Sequence, residues 1–506
     1  MSRADHLSAS LFNEGLAALA RGDNHAARDS FDRAALTAAT EPALSDRRAH
    51  CLTNCAHAAA ALGDHTGALA MLAIALDLCD RSTGDALAGL RVIVLLGQAP
   101  ALMATGDYDA AGVALDRALA ILDGEAPVAD DEQRVELRIS ALMSLTMLAS
   151  YREDWARANE LGTRCLAVVT AQRPHFAGVA LMNLADIALH TGRVELAVDF
   201  GVQALASFEE YGDTAGAAGM RRSLGQMYLR SGRLDEAEPV LTAAHAYFEA
   251  AGMLHQAAAG LDMLGLLAAA GGDMPNAGAR FAASAELFER LGQPVEAAEA
   301  RGRQGVVVYF AGDRAGGEAL LAATAATQTA HGLPIRAAQI HVIMATLFEQ
   351  ENDAAMLARA ADLAVPAALA VDAVARTLAS GRQRDQWRRN VAEPALWLAF
   401  RVAARSGNGP LVAQLVESRC AGSTLEHRVE AEEPPQGMEA LMYPPEVPVS
   451  IGTALAEAAA GPGLALALPP RLALTPHGGV ALDVHLTRAA ERYGMPVRAE
   501  GTIPSW

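Results

Sequence analysis

The chain contains no lysine; all forty of its basic residues are arginine. With the load of alanine and glycine, that usage is expected of a GC-rich bacterial genome and says nothing of function. Aromatic residues are also scarce, at 5% against 52% hydrophobic residues, and the excess is alanine. Alanine is the best helix former and small enough for close helix crossings, so thin, tightly packed helices are expected rather than a β-rich core. No arginine cluster rises above the formal charge of −19. Neither a nucleic-acid footprint nor an anionic-membrane footprint is therefore expected. No apolar run approaches the roughly 18 residues a membrane helix needs, which predicts no membrane span. Met1 to Ser10 lacks a basic stretch followed by an apolar one, so no signal peptide is expected. Five cysteines without framework spacing fit a reducing cytosol, and the expected location is cytoplasmic.

At 506 residues the chain is too long for one ordinary core and must be several domains or an open repeat array. A register decides between them. Arg221 to Ala244 carries Leu224-Gly225, Tyr228, Gly232, Ala237, Leu241 and Ala244. The position of Gly225 recurs at Gly15, Ala56, Ala99, Thr146, Ala185, Gly265, Gly305 and Ala345, with a constant spacing of 40 residues from Ala185 onward. Twelve residues later stand Ala27, Ala68, Ala111, Ala158, Ala197, Ala237 and Ala277, before Gly317 and Leu357 break the rule. A bulky site follows at Phe31, Leu72, Leu115, Leu241, Phe281 and Leu321, but Gly162, Gly201 and Ala361 leave it small. Seven residues after the Gly225 position come Gly22, Gly63, Gly106, Gly192, Gly232, Gly272 and Gly312, with Glu153 and Asn352 as exceptions. A left-handed glycine there closes one helix, and the Asp that often follows suits the cap of the next.

This pattern resembles the tetratricopeptide (TPR) repeat: Leu-Gly, an aromatic, alanine, a bulky residue, alanine. The resemblance implies an all-α fold, a right-handed superhelical solenoid of about nine helix-turn-helix units. One hairpin cannot bury its apolar face alone, so stacking is obligatory. The repeats here are about 40 residues against the usual 34, which lengthens the helices. Pro100 is expected to kink or shorten its helix, Pro239 to bend its helix mildly, and Pro275 to sit harmlessly in a first turn.

The array is expected to span residues 1–365, followed by capping helices over 366–430. Trp387, Trp397, Phe400 and Val402 anchor one capping stretch, Arg384 to Gly407, and a second runs from Leu411 to Glu430. Residues 431–450, with Pro434-Pro435, Pro444-Pro445 and Pro448, read as a semi-rigid linker. Residues 451–506 read as a small α+β appendage. Its expected strands are Leu464–Leu468, Arg471–Leu474 and Pro496–Ile503, with a helix from about Ala481 to Tyr493. The capping region, with Glu417-Ser418-Arg419, resembles the stretch preceding the caspase-like (CHAT) peptidase domain of bacterial TPR proteins. The peptidase itself is not expected in this chain, because too little of it follows Arg419 and the only cysteine there is Cys420.

His50, Cys51, Cys55 and His57 form the one cluster with a metal-like look, but the two cysteines fall where small core residues belong. No Walker loop, dinucleotide fingerprint or nucleophile elbow is present. The chain is read as a non-enzyme without cofactor or metal: a protein- or peptide-binding scaffold acting through its concave face. A peptidase or regulator encoded nearby is the expected kind of partner system. The competing reading is a degenerate peptidase relative using Cys420 with His427 or His477, or the sensor half of a regulator acting in trans. The family resemblance places positions beside the Leu-Gly pair on the concave wall. There Asn183 would hold a ligand backbone, Arg222 and Arg303 would meet carboxylates, and Gln226 would add an amide. Met182 and Tyr309 would supply apolar area. Asp186 and Asp262 could instead neutralise those arginines.

Overall fold

The computed structural model describes residues 2–21, 23–81, 87–124, 131–152, 154–351, 353–377, 382–422, 468, 471–474, 479–499 and 502–504. By internal contacts the chain divides into two compact units, Met1–Met227 and Tyr228–Trp506.

Unit 1 is a run of antiparallel helical hairpins. Its helices are α1 (Arg3–Ala20), α2 (Asn24–Ala38), α3 (Ser45–Ala61), α4 (His65–Arg81), α5 (Ala88–Ala104) and α6 (Tyr108–Asp123). They continue with α7 (Asp131–Tyr151), α8 (Trp155–Gln172), α9 (Ala177–His190) and α10 (Val194–Glu210). Each packs on the next in sequence, and first helices also touch first helices, as α3 does α5 and α7 does α9. Helix α11 (Thr214–Arg230) contains the boundary between the units. Unit 2 continues with α12 (Leu234–Ala250), α13 (Leu254–Ala270), α14 (Met274–Arg290), α15 (Pro294–Phe310), α16 (Arg314–Ala330), α17 (Pro334–Gln350) and α18 (Ala354–Thr377).

The turns carry the regularity. Within six hairpins a glycine with φ near +70 to +106° ends the first helix: Gly63, Gly106, Gly192, Gly232, Gly272 and Gly312. Gly22, Glu153 and Asn352 lie outside the described residues. At Gly272 the glycine N–H donates to Ala269 O at 3.0 Å and the Asp273 N–H donates to Ala268 O at 2.8 Å. The Asp273 carboxylate then accepts the Asn276 N–H at 3.1 Å and starts the next helix. One residue thus satisfies an orphan carbonyl behind it and an orphan amide ahead of it. The same closure joins successive hairpins at Gly212, Gly252, Gly292 and Gly332. From α10 to α17 every helix has 17 residues. The 40-residue repeat is therefore two 20-residue steps, each ended by a left-handed glycine.

Small residues face large ones across the seams. A Cβ on Gly15 would meet the Phe31 ring at 2.6 Å, and one on Gly265 would meet the Phe281 ring at 2.7 Å. Where the bulky site is small, the next hairpin fills it: Leu184 approaches Gly162, and Leu224 approaches Gly201. Gly317 breaks the alanine rule because its backbone lies against that of α15; a Cβ there would be 2.6 Å from Gly305 O. Pro100 does not shorten α5, which runs unbroken to Ala104 at 17 residues. Pro275 occupies the first turn of α14, where no amide partner is lost.

The end of unit 2 differs from the expectation in one respect. Ala354–Ala375 of α18 is long and apolar enough to cross a membrane by length and composition. The absence of such a run, expected from the sequence, is thereby corrected. Yet this stretch carries Arg359, Asp362 and Asp372, and residues 364–375 are buried within the protein. It is packed by α17, by α20 (Glu393–Arg405) and by α22 (Asp483–Tyr493). The first capping stretch is α19 (Arg382–Trp387), a π-helical turn over Arg388–Ala392, and α20; the Trp387 indole donates to Val371 O at 2.9 Å. The second, α21, spans Gly409–Gly422, and its expected continuation and the linker lie outside the described residues.

The appendage docks on this end. β1 (Arg471–Leu474) pairs antiparallel with β2 (Gly479–Val480) and parallel with β3 (Thr502–Pro504). The last strand is shorter than expected, and residues 464–467 lie outside the described residues. On α22, Arg488 and Arg492 both reach Asp362 of α18, and the Tyr493 hydroxyl lies 2.9 Å from His341 Nδ1 on α17. Glu349 of α17, which is 4% exposed, is gripped by Arg401 at 2.7–2.8 Å and by Arg405 at 3.1 Å.

Candidate functional site

The six residues singled out from the sequence fall on both units. In unit 1, Met182 and Asn183 lie on α9 and Arg222 and Gln226 on α11, all half-buried. The asparagine position two residues before the Gly225-type site recurs at Asn13, Asn54 and Asn183, with different fates. Asn13 is exposed, and Asn54 is spent on its own helix, donating to His50 O at 3.0 Å. Among the described residues nothing hydrogen-bonds the Asn183 amide or the Gln226 amide. Neither amide is among the buried polar atoms that lack a partner, so water reaches both, and a ligand backbone would take the place of that water. Arg222 already has a partner within the protein, whereas Asp186 faces His190 on its own helix at 3.4 Å.

In unit 2 the same kind of position is closed. Arg303 Nη1 contacts both oxygens of Asp262, at 3.1 and 3.0 Å. Asp262 is 9% exposed; burial pushes its carboxyl above the usual range, with Arg303 pulling the other way. The pair forms an internal clamp between α13 and α15, so Arg303 is not an open carboxylate receptor. Tyr309 also departs from its expected role. It is 5% exposed and donates its hydroxyl to Glu351 at 3.1 Å, while Arg314 holds the same carboxylate at 2.5 Å. Burial and then the Glu351 hydrogen bond push the phenol up to about 12. Its Cβ and backbone lie at the glycine seam beside Gly317, and the buried side chain offers no open apolar area.

The large apolar side chains that are exposed in unit 1 include Met147, at 40%, and Tyr151, at 60%, one turn apart on α7. The Tyr151 ring stacks on Tyr108 with centroids 6.2 Å apart, and Trp155 stacks on His190 at 5.1 Å. Position tells which first-helix residues meet across repeats. A Cβ on Gly97 of α5 would lie 2.7 Å from His57 Nε2 of α3. The position two before the Gly225-type site therefore abuts the position one after it on the preceding first helix.

Of the metal-like cluster the two cysteines are core, while His50 and His57 are exposed. Cys51 and Cys55 are buried, and burial pushes both thiols up to about 11. Among the described residues no three groups could hold a metal ion together. A feature that the sequence reading missed is a cavity of about 910 Å³ in unit 2, between α16, α17 and α18 and open beside Arg492. Alanines 322, 325, 326 and 330 line it, spaced for one face of α16, and that spacing was the available signal. Its charged groups are already matched, Glu318 with Arg359 and Asp362 with Arg492.

Residues 176–250 match the family model of the tetratricopeptide repeat. No curated protein sequence matches the chain significantly. Among solved structures, a signal-transduction ATPase (STAND) protein with a tetratricopeptide repeat sensor from Pyrococcus horikoshii is 16% identical. That similarity covers 59% of this chain and 43% of that one, with a TM-score of 0.47. Aspartyl phosphate phosphatase F from Bacillus subtilis is 10% identical over 69% of this chain and 90% of its own, with a TM-score of 0.47. A Rap protein complexed with competence and sporulation factor is 14% identical over 73% and 99%, with a TM-score of 0.41. At these values the structures carry no argument about what this chain binds.

Proposed function

We propose that this chain, a tetratricopeptide-repeat protein, is a non-catalytic scaffold that binds a protein through an extended peptide segment laid on the first-helix face of unit 1. One observation carries the reading: the amides of Asn183 and Gln226, half-buried on α9 and α11, have no hydrogen-bond partner among the described residues. A primary amide can donate to a backbone C=O and accept from a backbone N–H, which suits any extended segment regardless of its sequence. The turns and seams fix these helices, so the amides are held in place before a ligand arrives. Cys51 and Cys55 are buried, and burial pushes both thiols up to about 11, which supports a role without thiol chemistry.

The test is selection of random twelve-residue peptides displayed on phage against the immobilised full-length chain. Peptides that bind should lose tenfold or more in affinity for Asn183→Ala and for Gln226→Ala, while both variants melt like the parent. Failure to select any peptide, or unchanged binding to both variants, would remove the reading.

A further inference from the structure

We infer that the cavity between α16, α17 and α18 binds a small amphiphile, an aliphatic chain ended by a carboxylate, with the chain along the alanine face of α16 and the carboxylate at Arg492. The site lies within unit 2 and does not depend on the peptide-binding reading.

Earlier in the array an ion pair bridges a second helix to the first helix that follows it. Glu209 of α10 meets Arg221 of α11 in unit 1, and Glu289 of α14 meets Arg301 of α15 at 2.5 Å in unit 2. Forty residues after the second pair stand Thr329 and His341, and an uncharged threonine cannot form that bridge. Glu286 and Arg290 of α14, both exposed, are likewise replaced in register by Ala326 and Ala330. Ala326, Thr329, Ala330 and His341 all line the cavity of about 910 Å³. Long charged side chains have given way here to methyl groups, a hydroxyl and a ring. The space they leave has the size of sites that hold small ligands.

The lining sets the chemistry of the ligand. Ala322, Ala325, Met344, Phe348 and Leu363 supply apolar wall. The Thr329 hydroxyl donates to Ala325 O at 3.0 Å, and His341 Nδ1 lies 2.9 Å from the Tyr493 hydroxyl. A polar group on the ligand would lose water here with little to replace it, so the body of the ligand is hydrocarbon. Charge sets the other end. Arg359 holds Glu318 and lies over the Phe348 ring at 4.5 Å, whereas Asp362 is met by both Arg488 and Arg492. Three guanidinium groups thus stand around two carboxylates, an excess of one positive charge at the mouth. The charge of Arg492 is felt inside: after burial, it is the second cause that lowers the His341 imidazole to about 4, which keeps that ring neutral. One carboxylate balances the excess, and a guanidinium can meet it with two parallel hydrogen bonds.

The probe is dodecanoate, titrated into the full-length chain below its micellar concentration by isothermal titration calorimetry. One molecule should bind per chain, and decanoate and then octanoate should each bind about tenfold more weakly than the acid two methylenes longer. Dodecylamine should bind at least tenfold more weakly than dodecanoate. Arg492→Gln should abolish that preference and Arg492→Lys should restore it. The paired substitution Ala326→Glu with Ala330→Arg, at exposed positions, restores the residues of the preceding repeat. It should weaken dodecanoate tenfold or more with unchanged melting. Absence of saturable binding to the parent, equal affinity for dodecylamine, or normal binding to the paired variant would overturn the inference. So would binding that arises only when residues 423–467 are replaced by a Gly-Ser stretch of equal length, because the groove would then belong to the chain itself.

Discussion

Single residues set how closely the helices approach and which groups remain open. Gly317 and Gly305 lie backbone to backbone, so Gly317→Ala drives a methyl into Gly305 O and Tyr309. Unfolding by denaturant should show a loss of about 1–3 kcal/mol. Gly219 makes the contrast: it lies inside α11 and a Cβ there meets nothing within 4 Å. Gly219→Ala should stabilise by about 0.5–1 kcal/mol, because it removes helix-interior flexibility without a clash. Glu349 carries a pH signature. Burial alone would raise its carboxyl, but the hydrogen bonds and charges of Arg401 and then Arg405 hold it below its ordinary value of 4.5. A depressed acid contributes stability that is present above the unfolded value and is lost as pH falls through the folded one. Melting of the parent should therefore fall more steeply below about pH 4.5 than melting of Glu349→Gln, and parallel curves would show that the triad contributes nothing to folding. At this scale the sequence was legible where a residue type has one physical job, as with the turn glycines. It was not legible for Tyr309, whose partner Glu351 stands about forty residues away and is chosen by packing, whereas neutralisation of Arg303 by Asp262 was already the competing reading.

The elements show why the array was readable and which half of its regularity was not. The within-hairpin glycines stood out because a left-handed residue closes a helix in every repeat. Gly212, Gly252, Gly292 and Gly332 do the same between hairpins, yet they fall outside the usual repeat signature. First and second helices still differ, since glycine or alanine on one faces Phe281-type residues on the other. Excising residues 254–293 removes a whole hairpin and keeps that alternation; excising 254–273 removes one helix and inverts it. The first variant should retain a cooperative melt by circular dichroism and the second should not. Equal behaviour would mean that the two kinds of helix are interchangeable. The apolar length of α18 was not anticipated because Arg359, Asp362 and Asp372 interrupt the run, although Asp362 and Asp372 are met by arginines of the appendage and of α21. Truncation after Gly422 uncovers that helix, so the shortened chain should bind a hydrophobic dye or aggregate. A well-behaved truncated monomer would show that α22 is dispensable.

For the molecule as a whole, the account assigns binding to a face that is open in unit 1 and places no ligand at the corresponding ion pair of unit 2. That openness was partly visible in the sequence, in the recurrence of Asn13, Asn54 and Asn183, but that Asn54 is spent on its own helix and that Asn183 alone is both half-buried and unpaired is decided by the fold. The most direct measurement is photo-crosslinking of the full-length chain with a selected peptide carrying benzoylphenylalanine at one position, followed by mapping of the adduct by mass spectrometry. The account predicts adducts concentrated on α9 and α11, with Met182 as an acceptor, and their loss in Asn183→Ala. Adducts on residues 471–504, or spread evenly over both units, would contradict it.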